Sequence, residues 1–142
     1  YKDALPYFEK AASMNHADSI NMLGVYHQEG IVFEQDHKKA LEYFSRAIDI
    51  DADNASALFN IGQAYYYGEG VKQDYTKAFV WLTKSANQDY SLAQIQLAEM
   101  YFSGKAVHKD VQKAIEIIKP LAELGDPKAQ ENLKWYVDHP NG

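Results

Sequence analysis

The sequence predicts an all-α protein built from stacked antiparallel helix pairs, and three observations indicate this fold class. A Lys-Ala pair recurs at Ala40, Ala78 and Ala114, which sets a repeat period of 36 to 38 residues. Aspartates and glycines recur at the same spacing before each pair. Apolar residues within each unit follow helical spacing, and no segment shows the alternation of a strand. Self-similarity at such a period is typical of a repeat architecture.

Eight helices account for the pattern. Each unit contains a first helix, called helix A, and a second, called helix B. The order along the chain is one B helix, three A–B pairs and a final A helix. The predicted spans are 2–14, 17–29, 36–49, 55–67, 74–87, 91–103, 110–124 and 127–138.

The second unit illustrates how each boundary is assigned. Ile61 and Tyr65 lie one helical turn apart on an apolar face of helix A. Gly68 supplies a stop after that helix, because glycine readily adopts the left-handed conformation of a helix C-terminus. Asp74 is a suitable N-cap for the helix B that follows. The equivalent aspartates Asp36 and Asp110 are therefore interpreted as caps and not as an acid–base pair.

Spacing between units also predicts how the helices pack. Gly24 and Gly62 lack a side chain where helix B approaches helix A. Lys134 occupies the same register position, so we expect 127–138 to be a capping helix that ends the array. Tyr1 begins inside a helix B, which favours a chain cut from a longer array at its N-terminus.

The whole chain is thus expected to be a single solenoid domain, 1–142. Residues 1–16 are expected to be the back half of a truncated repeat. Three full repeats follow at 17–52, 53–89 and 90–125, and residues 126–142 form a capping helix with a tail.

Composition excludes several classes of protein. A chain of 142 residues with 46% apolar and 24% charged residues is expected to fold as one domain. No cysteine is present, which excludes disulfides, a catalytic thiol and thiolate metal sites. The net charge of −6 argues against nucleic-acid binding and against docking on acidic lipid. No apolar stretch approaches the ~20 residues of a membrane span, so no membrane insertion is expected.

The repeat unit resembles the Sel1-like repeat, a longer relative of the tetratricopeptide repeat. The signature residues of the second unit are Ala57, Ile61-Gly62, Tyr65, Gly68, Gly70-Val71, Asp74 and Lys77-Ala78. The third unit departs from the signature at Ala98 and Ala106, and the first departs at His27. The resemblance implies a right-handed α-solenoid that binds proteins and is not an enzyme. Such repeats occur in bacterial secreted and periplasmic proteins and in eukaryotic degradation machinery, so the compartment stays open between periplasm or secretion and the cytoplasm.

Motifs for chemistry are missing from the sequence. It contains no phosphate-binding loop, no Gly-x-Ser-x-Gly elbow and no His-Glu-x-x-His. The five histidines are scattered, and His27 is interpreted as a packing residue at a tyrosine position. No catalytic residue, metal site or cofactor is therefore predicted.

A second stripe of residues runs along the A helices, opposite the face predicted to be buried. In the second unit it places three aromatic residues where a polar face is expected. Because successive A helices line the concave surface of such solenoids, we expect a partner-binding groove there. The predicted groove residues are Asn21, Val25, Gln28, Phe59, Asn60, Gln63, Tyr66, Tyr67, Ile95, Gln96, Glu99, Phe102, Glu131, Asn132, Trp135 and Asp138.

Two alternatives remain open for this stripe. Its aromatic residues either face an open groove or are buried between successive A helices. Asn60, Gln96 and Asn132 recur at one register position, where an amide either binds the backbone of a peptide or ties helices A and B together.

The favoured function is a non-catalytic scaffold or adaptor that holds a peptide segment or a partner helix in the concave groove. The acidic residues Glu99, Glu131 and Asp138 favour a partner with basic residues. The alternatives are an architectural spacer within a larger repeat protein and a glycan-binding module whose aromatic side chains stack on sugar rings. We expect a monomer, with weak self-association through the open N-terminal end.

Overall fold

The computed structural model describes residues 2–142, and within this range eight α-helices follow one another without a strand. The helices are α1 (Leu5–Ser13), α2 (Ala17–Glu29), α3 (His37–Ile50), α4 (Ala55–Tyr67), α5 (Tyr75–Ala86), α6 (Ser91–Ser103), α7 (Val111–Glu123) and α8 (Pro127–Asp138). The even-numbered helices are the A helices and the odd-numbered ones are the B helices. The predicted all-α solenoid of eight helices is confirmed. The expectation attached to Tyr1 lies outside the described residues.

Aspartate side chains cap three B helices, as the sequence predicts. In each case the carboxylate accepts a hydrogen bond from the backbone N–H three residues later, at 2.9 to 3.0 Å. This bond satisfies one of the N–H groups that a helix N-terminus leaves without a partner. The capping residues are Asp36, Asp74 and Asp110.

Glycine ends the A helix of every complete pair. Gly30, Gly68 and Gly104 adopt φ values of 64°, 72° and 73° at these ends. A side chain disfavours this left-handed conformation, so glycine terminates the helix at little cost and turns the chain into the loop that leads to helix B.

Helix B packs closely on helix A within each pair. A Cβ atom on Gly24 would lie 2.5 Å from the Phe44 ring, so only glycine allows α2 and α3 to approach this closely. Ala40 and Ala78, at equivalent positions of α3 and α5, are almost fully buried. Small residues at the contact therefore set the distance between the helices of a pair.

Two pairs of successive A helices also meet along the stack. Helix α2 contacts α4 and α6 contacts α8, whereas no comparable contact between B helices occurs within residues 2–142. Helices that approach one another lie on the inside of a curved stack, so the A helices line its concave side. The predicted stripe therefore belongs to this inner surface.

Candidate functional site

The side chains of the predicted groove differ widely in exposure. Four of them are buried: Asn21, Tyr66, Ile95 and Gln96. Seven are half-buried: Val25, Gln28, Phe59, Asn60, Gln63, Phe102 and Asn132. Five are exposed: Tyr67, Glu99, Glu131, Trp135 and Asp138. Only the exposed members and parts of the half-buried ones are therefore accessible on this stripe, and its role as a partner-binding groove stays a prediction.

The exposed aromatic residues stand on different A helices. Tyr67, at the end of α4, exposes 58% of its surface, and Trp135 on α8 exposes 54%. Glu99, on α6 between them, is also exposed. The Trp135 ring stacks on the His139 ring with centroids 3.7 Å apart, which holds the indole in one orientation. The site thus combines two large exposed rings with a carboxylate on the intervening helix.

A chain of polar contacts surrounds Tyr66 beneath this surface. The Lys105 ammonium donates a hydrogen bond to the Tyr66 hydroxyl at 2.8 Å, and that hydroxyl lies 3.5 Å from a Glu99 carboxylate oxygen. The same ammonium lies 5.0 Å from the centre of the Tyr66 ring and 5.4 Å from that of Tyr75. Its hydrogen bond to Tyr66 is the main factor that raises the pKa of Lys105. The cation therefore joins the loop after α6 to the preceding repeat.

Burial and neighbouring charges also affect the exposed tyrosine. Partial burial is the largest factor that raises the pKa of Tyr67. The nearby Tyr66, Glu99 and Glu69 raise this pKa further, whereas the positive charge of Lys105 lowers it. The Tyr67 hydroxyl therefore stays protonated at neutral pH and can donate a hydrogen bond to a ligand.

The asparagines of the stripe connect two A helices. The Asn60 amide donates to the Asn21 side-chain oxygen at 3.0 Å, and the Asn21 amide donates to the Ser56 hydroxyl at 3.1 Å. These bonds run between α2 and α4. The link differs from the alternative in which these amides tie helices A and B together, because the A helices are close enough for short amides to reach across.

At the C-terminal end of the stripe, aromatic stacking fills the space between α6 and α8. The Phe102 ring stacks on the buried Tyr136 ring with centroids 4.5 Å apart. Burial, followed by the negative charge of Glu99, raises the pKa of Tyr136 to about 12. The Asn132 side chain lowers this pKa by a smaller amount. Phe102 is thus partly a packing residue, and its side chain is half-buried.

His27 occupies the position that tyrosine takes in the other repeats. Its ring lies between those of Phe33 and Tyr43, with centroids 4.3 and 5.4 Å away. Burial is the main factor that lowers the pKa of His27. The charge of Lys39 also lowers this pKa, whereas the charge of Asp36 raises it. The imidazole serves as a flat packing element, in agreement with its interpretation from the sequence.

Three residues of the site were missed by sequence reasoning: Tyr75, Tyr90 and Lys105. Phe59 packs on Tyr90 with ring centroids 5.3 Å apart, and Tyr75 lies against Tyr66 at 5.1 Å. These side chains come from a helix start and from loops, where no helical stripe includes them. For these three residues, the one sequence feature that could have indicated a place in the site was the position of Lys105 directly after the helix stop Gly104.

Neither a metal site nor a membrane span is visible in residues 2–142. No three His, Asp or Glu side chains of this part converge where a metal ion could sit. None of its helices combines the length and the apolar composition that a membrane crossing requires.

Comparison with known proteins identifies the family. Four consecutive segments match the Sel1 repeat, and together they cover most of the chain: residues 1–16, 17–50, 55–90 and 91–126. The chain belongs to the Sel1 repeat family. A tetratricopeptide (TPR) repeat also matches residues 34–67, where the sequence passes from the first full repeat to the second.

Solved Sel1 repeat structures have the same architecture. A Sel1 repeat protein from Oxalobacter formigenes superposes with a TM-score of 0.81 at 27% identity, over 92% of this chain and 53% of that one. The protective antigen c5321 of uropathogenic Escherichia coli superposes with a TM-score of 0.82 at 29% identity, over 90% of this chain and 27% of that one. These similarities confirm the solenoid fold.

A curated relative is the ERAD-associated E3 ubiquitin-protein ligase component HRD3 of Candida glabrata. It is 29% identical over 139 residues, which is 94% of this chain and 16% of the relative. The Sel1 repeats described here thus span less than a fifth of that protein's length.

Proposed function

We propose that these Sel1 repeats act as a non-catalytic scaffold that holds a peptide segment or helix of a protein partner on the concave surface. The observation that carries the proposal is the exposure of Tyr67 and Trp135 on A helices either side of Glu99. Large exposed aromatic side chains are the residues that dominate binding energy at protein interfaces. A rigid array of helices presents them without an ordering cost.

The charge of this surface indicates the chemistry of the partner. Its exposed members include three carboxylates, on Glu99, Glu131 and Asp138, and no cation. Lysines lie beside this surface: Lys105 is bound to the Tyr66 hydroxyl, Lys128 pairs with Glu131 at 3.4 Å, and Lys134 lies next to Trp135 and Asp138. Of the three carboxylates, Glu99 and Asp138 are therefore the ones without an ion pair among the described residues. A partner with lysine or arginine among apolar residues fits this combination, and salt should weaken its binding.

The relatives favour the same interpretation. HRD3 is by name a component of a ubiquitin ligase, so at least one protein with similar repeats works within a protein assembly. Repeat arrays of this kind offer extended concave surfaces suited to peptides and helices. We infer a protein partner for this chain on the combined basis of that likeness and the exposed aromatic residues.

The test begins with cross-linking and affinity capture from the native host to identify the partner. Calorimetry then compares the unchanged protein with the double variant Tyr67→Ala, Trp135→Ala. We expect at least a tenfold loss of affinity with unchanged helicity. The matched control is Val80→Ala, Leu124→Ala, which truncates two exposed apolar side chains on α5 and at the end of α7, outside the A helices. Equal affinities for both double variants and the unchanged protein would contradict the proposal.

A further inference from the structure

The first junction between consecutive B helices contains more apolar side-chain volume than the second. At the first junction, Leu41 and Ile48 of α3 pack with Trp81 of α5 around one buried cluster. Tyr65 of α4 packs against the same cluster. The Trp81 indole thus supplies apolar volume on the α5 side of this junction, and a polar depression remains along α3, lined by Leu41, Ser45 and Asp49.

The second junction, between α5 and α7, holds a cavity of about 420 Å³ above α6. The residues that line it are Phe79, Thr83, Ala86, Asn87, Gln94, Leu97, Tyr101, Lys113 and Ile117. Phe79 and Leu97 belong to one core cluster, whereas Tyr101 and Ile117 pack against another. The cavity therefore lies where two clusters meet, and two of its walls, the Phe79 and Tyr101 rings, contact each other edge-on with centroids 5.7 Å apart.

Three substitutions between the repeats account for this opening. When the repeats are aligned on their Lys-Ala pairs, Ala86 of the second junction aligns with Ile48 of the first, and Ile117 aligns with Trp81. Gln94 replaces Leu58, and its side chain lines the cavity while it donates a hydrogen bond to the Ala86 carbonyl at 3.4 Å. Two of the changes remove apolar volume, and the third replaces an apolar side chain with a polar one.

We propose that this cleft binds an aromatic side chain of a protein partner, best an indole, that has a carboxylate next to it. The first junction shows which group suits the space, because there an indole occupies it. Three walls of the cleft are aromatic or branched apolar side chains: Phe79, Tyr101 and Ile117. An indole is flat, and it contacts all three walls without displacing a helix.

The charge of the cleft indicates which group should lie next to the aromatic side chain of the ligand. Lys113 is exposed and is the one charged residue that lines the cleft. An aspartate or glutamate beside the aromatic residue would pair with its ammonium. The cleft opens between B helices, so this site is separate from the concave surface and does not depend on the proposed function.

The test uses the 142-residue protein and a short synthetic peptide, acetyl-Asp-Trp-Asp-amide, with acetyl-Asp-Ala-Asp-amide as the control. Amide chemical shifts are followed by NMR during titration, because Trp81 and Trp135 interfere with fluorescence. We expect saturable shifts at Leu97, Tyr101 and Ile117 with the first peptide and at least tenfold weaker binding of the second. No saturable shift at these residues, or equal binding of the two peptides, would overturn the proposal.

Filling the cleft provides a second test. The double variant Ala86→Ile, Ile117→Trp gives the second junction the residues of the first, and we expect it to weaken the tryptophan peptide at least tenfold without lowering the melting temperature. If this variant does not fold, Gln94→Leu introduces the corresponding leucine at a single position and should weaken binding severalfold. Unchanged affinity in a folded filled variant would overturn the proposal.

Charge removal tests the carboxylate requirement. Lys113→Gln should weaken the peptide severalfold and abolish the salt dependence of its binding, whereas Lys119→Gln, an exposed lysine of the same helix, should leave both unchanged. Equal effects of the two variants would contradict the assigned role of Lys113.

Discussion

A Cβ atom placed on Gly62 would lie 2.7 Å from Leu82 Cγ and 3.3 Å from the Leu82 backbone nitrogen. Helices α4 and α5 therefore pack at a distance that only glycine permits. The fully buried Leu82 side chain occupies the space that a larger residue at position 62 would need. The same contact recurs between Gly24 and Phe44 one repeat earlier, so it is a property of the repeat.

Replacing this glycine should destabilise the array. We expect Gly62→Ala to lower the free energy of unfolding by about 1–3 kcal/mol, because the added methyl group forces α4 and α5 apart. Lys134→Ala is the matched control, since Lys134 occupies the same register position on α8 and is exposed. Its change should stay within ~0.5 kcal/mol. Equal urea midpoints for the two variants would show that the helix register is wrong.

Ala106 adopts a left-handed conformation with φ of 66°, where the preceding repeat has Gly70 at 78°. Ala106→Gly should relieve strain of about 1–2 kcal/mol, partly offset by the greater freedom of the unfolded chain, and raise the melting temperature by about 2–4 °C. Gly70→Ala should do the opposite, because its Cβ would lie 2.6 Å from the His37 carbonyl oxygen. Thermal unfolding of both variants checks this, and a fall in melting temperature for Ala106→Gly would refute the strain at that site.

Local rules explain why much of the fold could be predicted from sequence. A helix stop at Gly68, a cap at Asp74 and a spacer at Gly62 each depend on residues within one repeat, and the periodic pattern repeats them in register. The site was harder to predict. By the spacing of an ideal helix, Tyr66 lies roughly 140° from Ile61 and Tyr67 roughly 240°, so both fall outside the predicted core face.

Tertiary contacts separate these two neighbours. An A helix of a solenoid is covered by its own helix B, by the preceding helix B and by adjacent A helices, so its buried arc is wider than that of a helix packed on one side. Tyr66 is also covered by Lys105, which comes from the loop of the following repeat. A periodicity within one helix carries no information on that loop.

The lowered pKa of His27 predicts a dependence of stability on pH. Burial lowers the pKa below the ordinary value of 6.5, so the unfolded chain binds a proton before the folded one as pH falls. Stability from this group should therefore be full above pH 6.5 and decrease as the pH drops from there toward the pKa of the folded state. His27→Tyr should reduce the difference between urea stabilities at pH 7.5 and pH 5.5. The unchanged protein and the His27→Tyr variant share the other four histidines. If the stability difference between pH 7.5 and pH 5.5 were the same in both, this role of His27 would be ruled out.

Tyr66 and Tyr67 provide the sharpest test of which side chains form the concave surface. Tyr66 exposes only 5% of its surface and bonds to Lys105, so Tyr66→Ala should lower the free energy of unfolding by about 3–5 kcal/mol through loss of packing. Tyr67 is exposed and contacts the Tyr66 ring edge-on at 4.9 Å, so Tyr67→Ala should cost about 0.5–1.5 kcal/mol. Circular dichroism in urea compares the two. Because Tyr67→Ala retains the fold, any loss of partner affinity in that variant reports on binding alone. A Tyr67→Ala protein as unstable as Tyr66→Ala would mean that both rings are core, and the partner would then have to use another surface.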